Sequence, residues 1–251
     1  MSRLIPTILR FDSLPSTNAE AARQAAEGAP EGLCIVAREQ TAGRGRQGRA
    51  WASPKDAGLY FSIVLRPRAE PNRWPLITLA AALAVGDALG EACALETDIK
   101  WPNDILSGGR KLCGILAETA ETKAGRAVVL GIGINLRDAA FPDSLRETAT
   151  SVEASTRESP DTERLLQSLT RALSRRYETL ESADGAARIV EEWTARSSFA
   201  EGRRVRVLVA GETFEGRTRG LEPDGALRVE TDAAEIRIVR AGDVSALRRA
   251  D

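Results

Sequence analysis

The chain has 251 residues, 43% of them apolar and 28% charged, with a formal net charge of −1, which is the composition of a soluble globular protein with room for one large and one small domain. That near-neutral balance argues against bulk nucleic-acid binding, which rests on a basic excess. With no histidine, Ser-His triads, HExxH zinc sites and imidazole bases are excluded; Cys34, Cys93 and Cys113 are too dispersed for a disulfide framework or an all-cysteine zinc site and fit a reduced, cytoplasmic setting.

In chain order, residues 4–11 read as a short strand, and nothing in this first stretch has the apolar length of a signal peptide. Ser16-Thr17-Asn18 leads into an alanine-rich helix stopped near Gly28, with Thr17 and Glu20 at the spacing of a capping box. Residues 33–39 form a strand, a glycine- and arginine-rich loop runs from Thr41 to Pro54, and residues 58–65 form another strand. Residues 75–90 read as an Ala/Leu-rich core helix; its most apolar run, Leu76 to Leu89, is broken by Gly86 and Asp87 and reads as too short to span a bilayer. Short extended pieces at 97–101 and 104–107 flank Pro102-Asn103, and Gly108-Gly109 turns the chain into the strand Arg110–Glu118. A buried strand covers 127–134, a loop continues to residue 158, and a helical region capped by Asp161 covers 161–195.

After Ser198 the texture changes to short alternating strands, the last of them the segment DVSAL, separated by Gly211, Pro223-Asp224-Gly225 and Gly242, which suggests a small closed or nearly closed barrel. The expected division is therefore residues 1–198 and 199–251.

Four segments carry candidate chemistry. Gly43, Gly45 and Gly48 spell GxGxxG, but a strand follows rather than a helix, so the dinucleotide reading fails, as does a Walker loop. Small residues alternating with Arg44, Arg46 and Arg49 give a backbone that can approach a ligand and guanidinium groups that can clamp an anion; a solvated basic loop is the plain alternative. The chain has only four lysines, Lys55, Lys100, Lys111 and Lys123, so a lysine inside a motif stands out against an arginine-rich background. Lys100-Trp101-Pro102-Asn103-Asp104 precedes Lys111, which alternation puts on the face of Cys113 and Ile115, where an ammonium is costly unless an anion meets it or it snorkels to water. Glycines inside the strand Gly131-Ile132-Gly133-Ile134-Asn135 suggest close approach of backbone or ligand, or tight packing. Ser16-Thr17-Asn18 suits a helix cap and equally a polar ligand edge.

Taken in this order, STN at 16–18, QTAGRGRQGR at 40–49, KWPND at 100–104 with RKLCGI at 110–115, and GIGIN at 131–135 resemble the catalytic domain of biotin–protein ligases, firmly over residues 10–140. The resemblance implies an α+β fold: a mixed β-sheet catalytic domain with flanking helices, akin to class II aminoacyl-tRNA synthetases, plus a C-terminal SH3-like barrel. It implies an ATP-dependent ligase that forms biotinyl-5′-AMP and passes biotin to a lysine of a biotin carboxyl carrier protein, using ATP and Mg²⁺ and no tightly bound organic cofactor. Ser16, Thr17, Asn18, Gln40, Arg44, Gly45, Arg46, Lys111 and Gly114 would bind biotin. Arg46, Arg49, Trp51, Asn103 and Asn135 would lie on the ATP side, Asp104 would take Mg²⁺, and Lys111 and Arg46 would be the catalytic pair.

The segment departs from that family's pattern at Ala50, where many relatives are basic, and at Cys113, where a small residue is usual; the stretch from Phe141-Pro142 onward matches loosely, so no residue is assigned there. The 15 residues before Ser16 are too few for a helix-turn-helix, so no DNA partner is expected, nor a membrane; a homodimer is left open. The rivals are a cysteine-dependent acyltransferase of the same fold with Cys113 as nucleophile, and a non-catalytic nucleic-acid-binding or regulatory module using the arginine loop.

Overall fold

Runs of β-branched and aromatic residues at Leu33–Ala37 (β2) and Gly58–Leu65 (β3) form strands buried along their whole length, and the rest of the fold is layered on them. In the computed structural model, which describes residues 4–138, 141–240 and 242–246, these two strands join Thr7–Phe11 (β1), Asp98–Lys100 (β4), Asp104–Ser107 (β5), Arg110–Thr122 (β6) and Gly125–Asn135 (β7). The seven-stranded sheet has the order β1-β2-β3-β7-β6-β5-β4; β1 and β2 are parallel and the remaining pairs antiparallel, so the sheet is mixed.

Period-two alternation sends the strands' side chains to two different layers. Leu33, Ile35, Val64, Ala127 and Val129 pack on Ala21 and Ala25 of Thr17–Ala26 (α1). Cys34, Val36, Phe61, Ile63, Leu130 and Ile132 point the other way, onto Pro75–Cys93 (α2) and the helices Thr162–Leu180 (α4) and Gly185–Ala195 (α5) that cover it. On the α1 face the same alternation leaves Ser62, Gly131 and Gly133, small or polar positions where the layer is left open.

The helix α2 is longer than the run read from the sequence, and by length and composition alone it reaches what a membrane span requires; here it is the central core helix, with 61% of its most apolar stretch buried inside the protein. The helical region 161–195 is two helices, with Ser182, Ala183 and Asp184 in the turn between them, and the loop before it carries the short helix Val152–Thr156 (α3). Asp161 caps α4 as expected, accepting from the backbone N–H groups of Glu163 and Arg164 at 3.0 Å. The cap of α1 is Ser16 rather than Thr17: the Ser16 hydroxyl faces the backbone N–H of Ala19, while Thr17 is buried and bonded elsewhere. Asp87 of α2 holds α4 and α5 through Arg176 Nε at 2.9 Å and Arg196 Nη1 at 2.6 Å.

The C-terminal strands Glu201–Val209 (β8), Glu212–Leu221 (β9), Leu227–Thr231 (β10), Ile236–Val239 (β11) and Asp243–Ala246 (β12) form an antiparallel sheet in the order β11-β10-β9-β8-β12. Among the described residues no ladder joins β11 to β12; Leu247, the end of the strand expected there, lies outside the described residues. Val205, Val207, Leu227, Val229 and Val244 of this sheet join the same buried cluster as α2 and α4. Trp101 stitches the two sheets together, its indole N–H donating to the Gly225 carbonyl at 3.0 Å. At the other edge of this sheet β12 lies beside the arginine loop, with Asp243 2.9 Å from Arg49.

Candidate functional site

The open part of the α1 face is a cleft of about 790 Å³, roofed by the Thr41–Pro54 loop and closed at one end by β8 and β12. Every position to which the resemblance gives a site role lines it: Ser16, Thr17 and Asn18 from the start of α1, Gln40, Arg44, Gly45, Arg46, Arg49 and Trp51 from the loop and its approach, and Asn103, Asp104, Lys111, Gly114 and Asn135 from the strands and their turns; Cys113 does not.

At the α1 end the polar side chains are buried and bonded to one another. Thr17 donates its backbone N–H and its hydroxyl to Gln40 Oε1 at 2.8 and 3.0 Å, and Gln40 Nε2 donates to Ser53 Oγ at 2.8 Å. The Ser62 hydroxyl lies 2.8 Å from Thr17 Oγ1 and 2.6 Å from Asn18 Oδ1. Asn18 Nδ2 donates to Glu118 Oε2 at 2.7 Å, and the same carboxylate oxygen accepts from Arg44 Nη2 at 2.9 Å. Asn18 and Thr17 are each 4% exposed, so the network presents fixed donors and acceptors rather than mobile ones.

The floor beside it is made of glycines because side chains above leave no room for a Cβ. At Gly131 a Cβ would stand 2.2 Å from Asn18 Oδ1; at Gly133, 2.5 Å from Trp51 Nε1; at Gly114, 2.9 Å from Trp51 Cζ3. The Trp51 indole therefore lies flat on Gly114 and Gly133, with the Lys111 ammonium 5.3 Å from its ring centre. Its Nε1 is buried over Gly133 without a hydrogen-bond partner.

Lys111 is not on the face that simple alternation gives it. The β5–β6 ladder pairs Leu106 with Lys111 and Ile105 with Cys113, so Leu112 is an extra residue in β6. This bulge turns Lys111 to the Gly114 side while Cys113 and Ile115 stay in the core. The Lys111 ammonium is 2.6 Å from Asp104 Oδ1. Cys113 is fully buried, and burial pushes its thiol far above the ordinary range, so it offers the cleft no nucleophile.

Toward the C-terminal sheet the cleft becomes cationic. Arg46 donates to Asn103 Oδ1 at 3.3 Å and to the Gly242 carbonyl at 3.2 Å, and Arg49 Nη2 pairs with Asp243 Oδ1 at 2.9 Å. Burial lowers the proton affinity of Arg46 against the pull of Asp243, and burial together with nearby Lys111 lowers that of Lys100 against the pull of Asp104. Asn135 is buried behind this region, its amide donating to the Thr150 carbonyl at 3.0 Å. Among the described residues no three metal-ligating side chains come together, so a cation here would need ligands from a bound substrate as well as Asp104.

Two family models match the chain: the biotin/lipoate A/B protein ligase family over residues 9–135, and the biotin protein ligase C-terminal domain over 202–247. The chain belongs to the biotin protein ligase family. It is 38% identical to the biotin–[acetyl-CoA-carboxylase] ligase of Mycobacterium tuberculosis, over 93% of this chain and 86% of that protein. It is also 38% identical to the bifunctional ligase/repressor BirA of Bacillus subtilis, over 90% of this chain and 70% of that protein. The biotin protein ligase of Aquifex aeolicus, solved with biotin and ATP, superposes with a TM-score of 0.84 at 26% identity, covering 97% of this chain and all of that one.

Within this ligase cleft, sequence reasoning did not single out Ser53, Ser62, Glu118 or Asp243. Ser62 carried a legible signal, a lone hydroxyl in the middle of the buried run GLYFSIVL, where a polar group must have a partner. Asp243 carried none, because it is brought to Arg49 only by the docking of the second sheet.

Proposed function

We propose that this protein is a biotin–protein ligase, joining biotin to ATP as biotinyl-5′-AMP with release of pyrophosphate and then transferring biotin to a lysine of a biotin carboxyl carrier protein. What supports this reading best is one juxtaposition: the buried amide–hydroxyl network of Thr17, Asn18, Gln40 and Ser62 opens into the same cleft as Lys111, Arg46 and Arg49. A neutral, polar ring head and an anionic tail match these two ends.

Ser16, Thr17, Asn18 and Gln40 hold the polar head of biotin; Gly114 lets its chain lie against the sheet, and Arg44, Gly45 and Arg46 wrap it. Lys111 sits where the carboxylate meets the α-phosphate. As the carboxylate oxygen bonds to phosphorus, charge builds on the phosphoryl oxygens, and the fixed cations Lys111 and Arg46 neutralise it without reorganising. Arg49, Trp51, Asn103 and Asn135 serve the nucleotide. Asp104 is the carboxylate suited to take Mg²⁺ arriving on the nucleotide, since Mg²⁺ is held mostly by phosphates and one or two carboxylates, and the ion would supply further charge neutralisation. In the second step the carrier's lysine amine attacks the acyl carbon and AMP leaves; the loop over Trp51 keeps water from the mixed anhydride meanwhile.

We divide the chain near residue 198 into a catalytic part and a C-terminal part that anchors the loop. Three free cysteines suit a reducing cytoplasm. The test is incubation with biotin, MgATP and a biotinyl carrier domain: streptavidin-reactive carrier is expected, and unlabelled carrier with a competent control ligase beside it would refute the reading.

A further inference from the structure

Glu118 lies on β6 opposite Val129 of β7, on the α1 face of the sheet, and its side chain does not itself line the cleft. A single oxygen of its carboxylate, Oε2, accepts from donors in two different parts of the site: Asn18 Nδ2 of α1 at 2.7 Å and Arg44 Nη2 of the roofing loop at 2.9 Å. As an ion pair, Arg44 and Glu118 are both partly open to water and contribute little to stability. The bond from Asn18 is of another kind, because that side chain is buried and an ionised acceptor strengthens the bond.

What that oxygen decides is the direction of the Asn18 amide. A carboxylate and a backbone carbonyl only accept, so the atom of Asn18 that meets Glu118, and the Leu116 carbonyl at 3.3 Å, is its NH2, with both hydrogens spent there. Oδ1 is then turned to the Ser62 hydroxyl at 2.6 Å. Gln40 is fixed in the same way, since its Oε1 receives the backbone N–H of Thr17. Between these two amide oxygens stand the hydroxyls of Thr17 and Ser62, with two hydrogens for three oxygen–oxygen contacts. The network is therefore rich in lone pairs, which suits a ligand edge carrying N–H groups. An Asn18 amide turned over would put its NH2 against Ser62 and reverse that preference.

Resting on the function proposed above, we infer that Glu118 is a positioning residue for biotin: one carboxylate oxygen sets the hydrogen-bonding sense of the floor through Asn18 and seats the roofing loop through Arg44. It acts through these two residues and touches neither biotin nor nucleotide. Because both tasks share an atom, each depends on the other. Losing Arg44 frees the carboxylate to turn about its side-chain torsions, which loosens Asn18, and losing Asn18 loosens Arg44 likewise.

Calorimetric titration with biotin and steady-state kinetics test this. Glu118→Ala is expected to weaken biotin binding about 10-fold and to raise the KM for biotin in parallel, while kcat and the KM for ATP stay within about two-fold of wild type. Glu118→Gln keeps an acceptor oxygen for Asn18 and is expected to recover most of the loss; Glu118→Met repeats the measurement should the alanine variant be insoluble. A cycle of Asn18→Ala and Arg44→Met reads the shared atom. With Glu118 present, the double variant is expected to lose at least about 3-fold less biotin affinity than the product of the single losses; in the Glu118→Ala background the losses multiply. A general weakening of the fold lowers the active fraction without moving KM or the cycle. Wild-type biotin affinity in Glu118→Ala, a loss carried by kcat, or coupling that persists without Glu118 overturns the assignment. A wild-type protein that does not bind biotin overturns instead the function on which it rests.

Discussion

Asp243, on the last strand of the C-terminal sheet, holds Arg49 of the glycine–arginine loop at 2.9 Å and stands 3.7 Å from Arg46. The loop that roofs the cleft is thus fastened to a different sheet from the one that builds the floor. Because Arg49 is 59% exposed, the pair is screened, and losing it costs less than about 1 kcal/mol. Asp243→Asn is expected to raise the KM for ATP about two- to five-fold with little change in melting temperature. Steady-state kinetics with ATP varied decides it; an unchanged KM means that the loop does not need this anchor.

Lys111 lines the cleft and is held by Asp104 at 2.6 Å and by the Trp51 face. Such preorganisation is what makes one cation worth much in a transition state. Lys111→Ala is expected to slow adenylate formation about 10²–10³-fold, or about 3–4 kcal/mol. Pyrophosphate release measured in single turnover tests this, and near-wild-type release would remove Lys111 from the chemistry.

Strand runs with strong local signals, such as Gly58–Leu65, were legible to the residue, and so was the Asp161 cap. The convergence of the four motifs in one cleft was legible too, but only from their joint resemblance to one family, because each segment alone had a plain structural reading. What the chain did not reveal was non-local. The Leu112 bulge that turns Lys111 into the cleft depends on how β5 pairs with β6, and period-two counting alone put Lys111 with Cys113. The pairing of Arg49 with Asp243 links residues 194 positions apart. The Ser16 cap was masked because Thr17 could cap as well; burial of Thr17 against Gln40 and Ser62 decides between them.

At Gly131 an added Cβ would stand 2.2 Å from Asn18 Oδ1. Asn18 cannot yield cheaply, because its amide is bonded to Glu118 and its oxygen faces Ser62. Gly131→Ala is therefore expected to displace the polar network and weaken biotin binding at least about 10-fold, with a loss of about 1–3 kcal/mol in stability. Calorimetric titration with biotin reads the first and urea unfolding the second. Undiminished biotin affinity would show that this network does not face the ligand.

Burial alone would raise the proton affinity of Asp87, but hydrogen bonds from Arg176 and Arg196 outweigh it and hold the carboxyl below its ordinary value. A depressed carboxylate stabilises the fold above its unfolded value of about 3.9 and loses that contribution as pH falls through the folded value. Asp87→Asn is expected to lower stability at pH 7 by about 1–3 kcal/mol, with the gap to wild type narrowing below about pH 4. Urea midpoints from pH 7 to pH 3 test the sign; a gap that widens on acidification contradicts it.

Arg46 is only 20% exposed and spends its guanidinium on Asn103 and the Gly242 carbonyl, tying the loop to both sheets at once. Replacing it removes a charge from the cleft and releases the loop, and glycine adds backbone freedom as well. If the loop's task is to retain a reactive mixed anhydride, the first step should survive better than the retention. Arg46→Gly is then expected to form biotinyl-5′-AMP at a reduced rate and to release it, biotinylating bystander lysines on proteins such as serum albumin added to the assay. Streptavidin blots of that mixture, beside a direct measure of adenylate formed, separate the two effects. A variant that makes the adenylate and labels nothing but the carrier would show that retention lies elsewhere, with Trp51 the next residue to test.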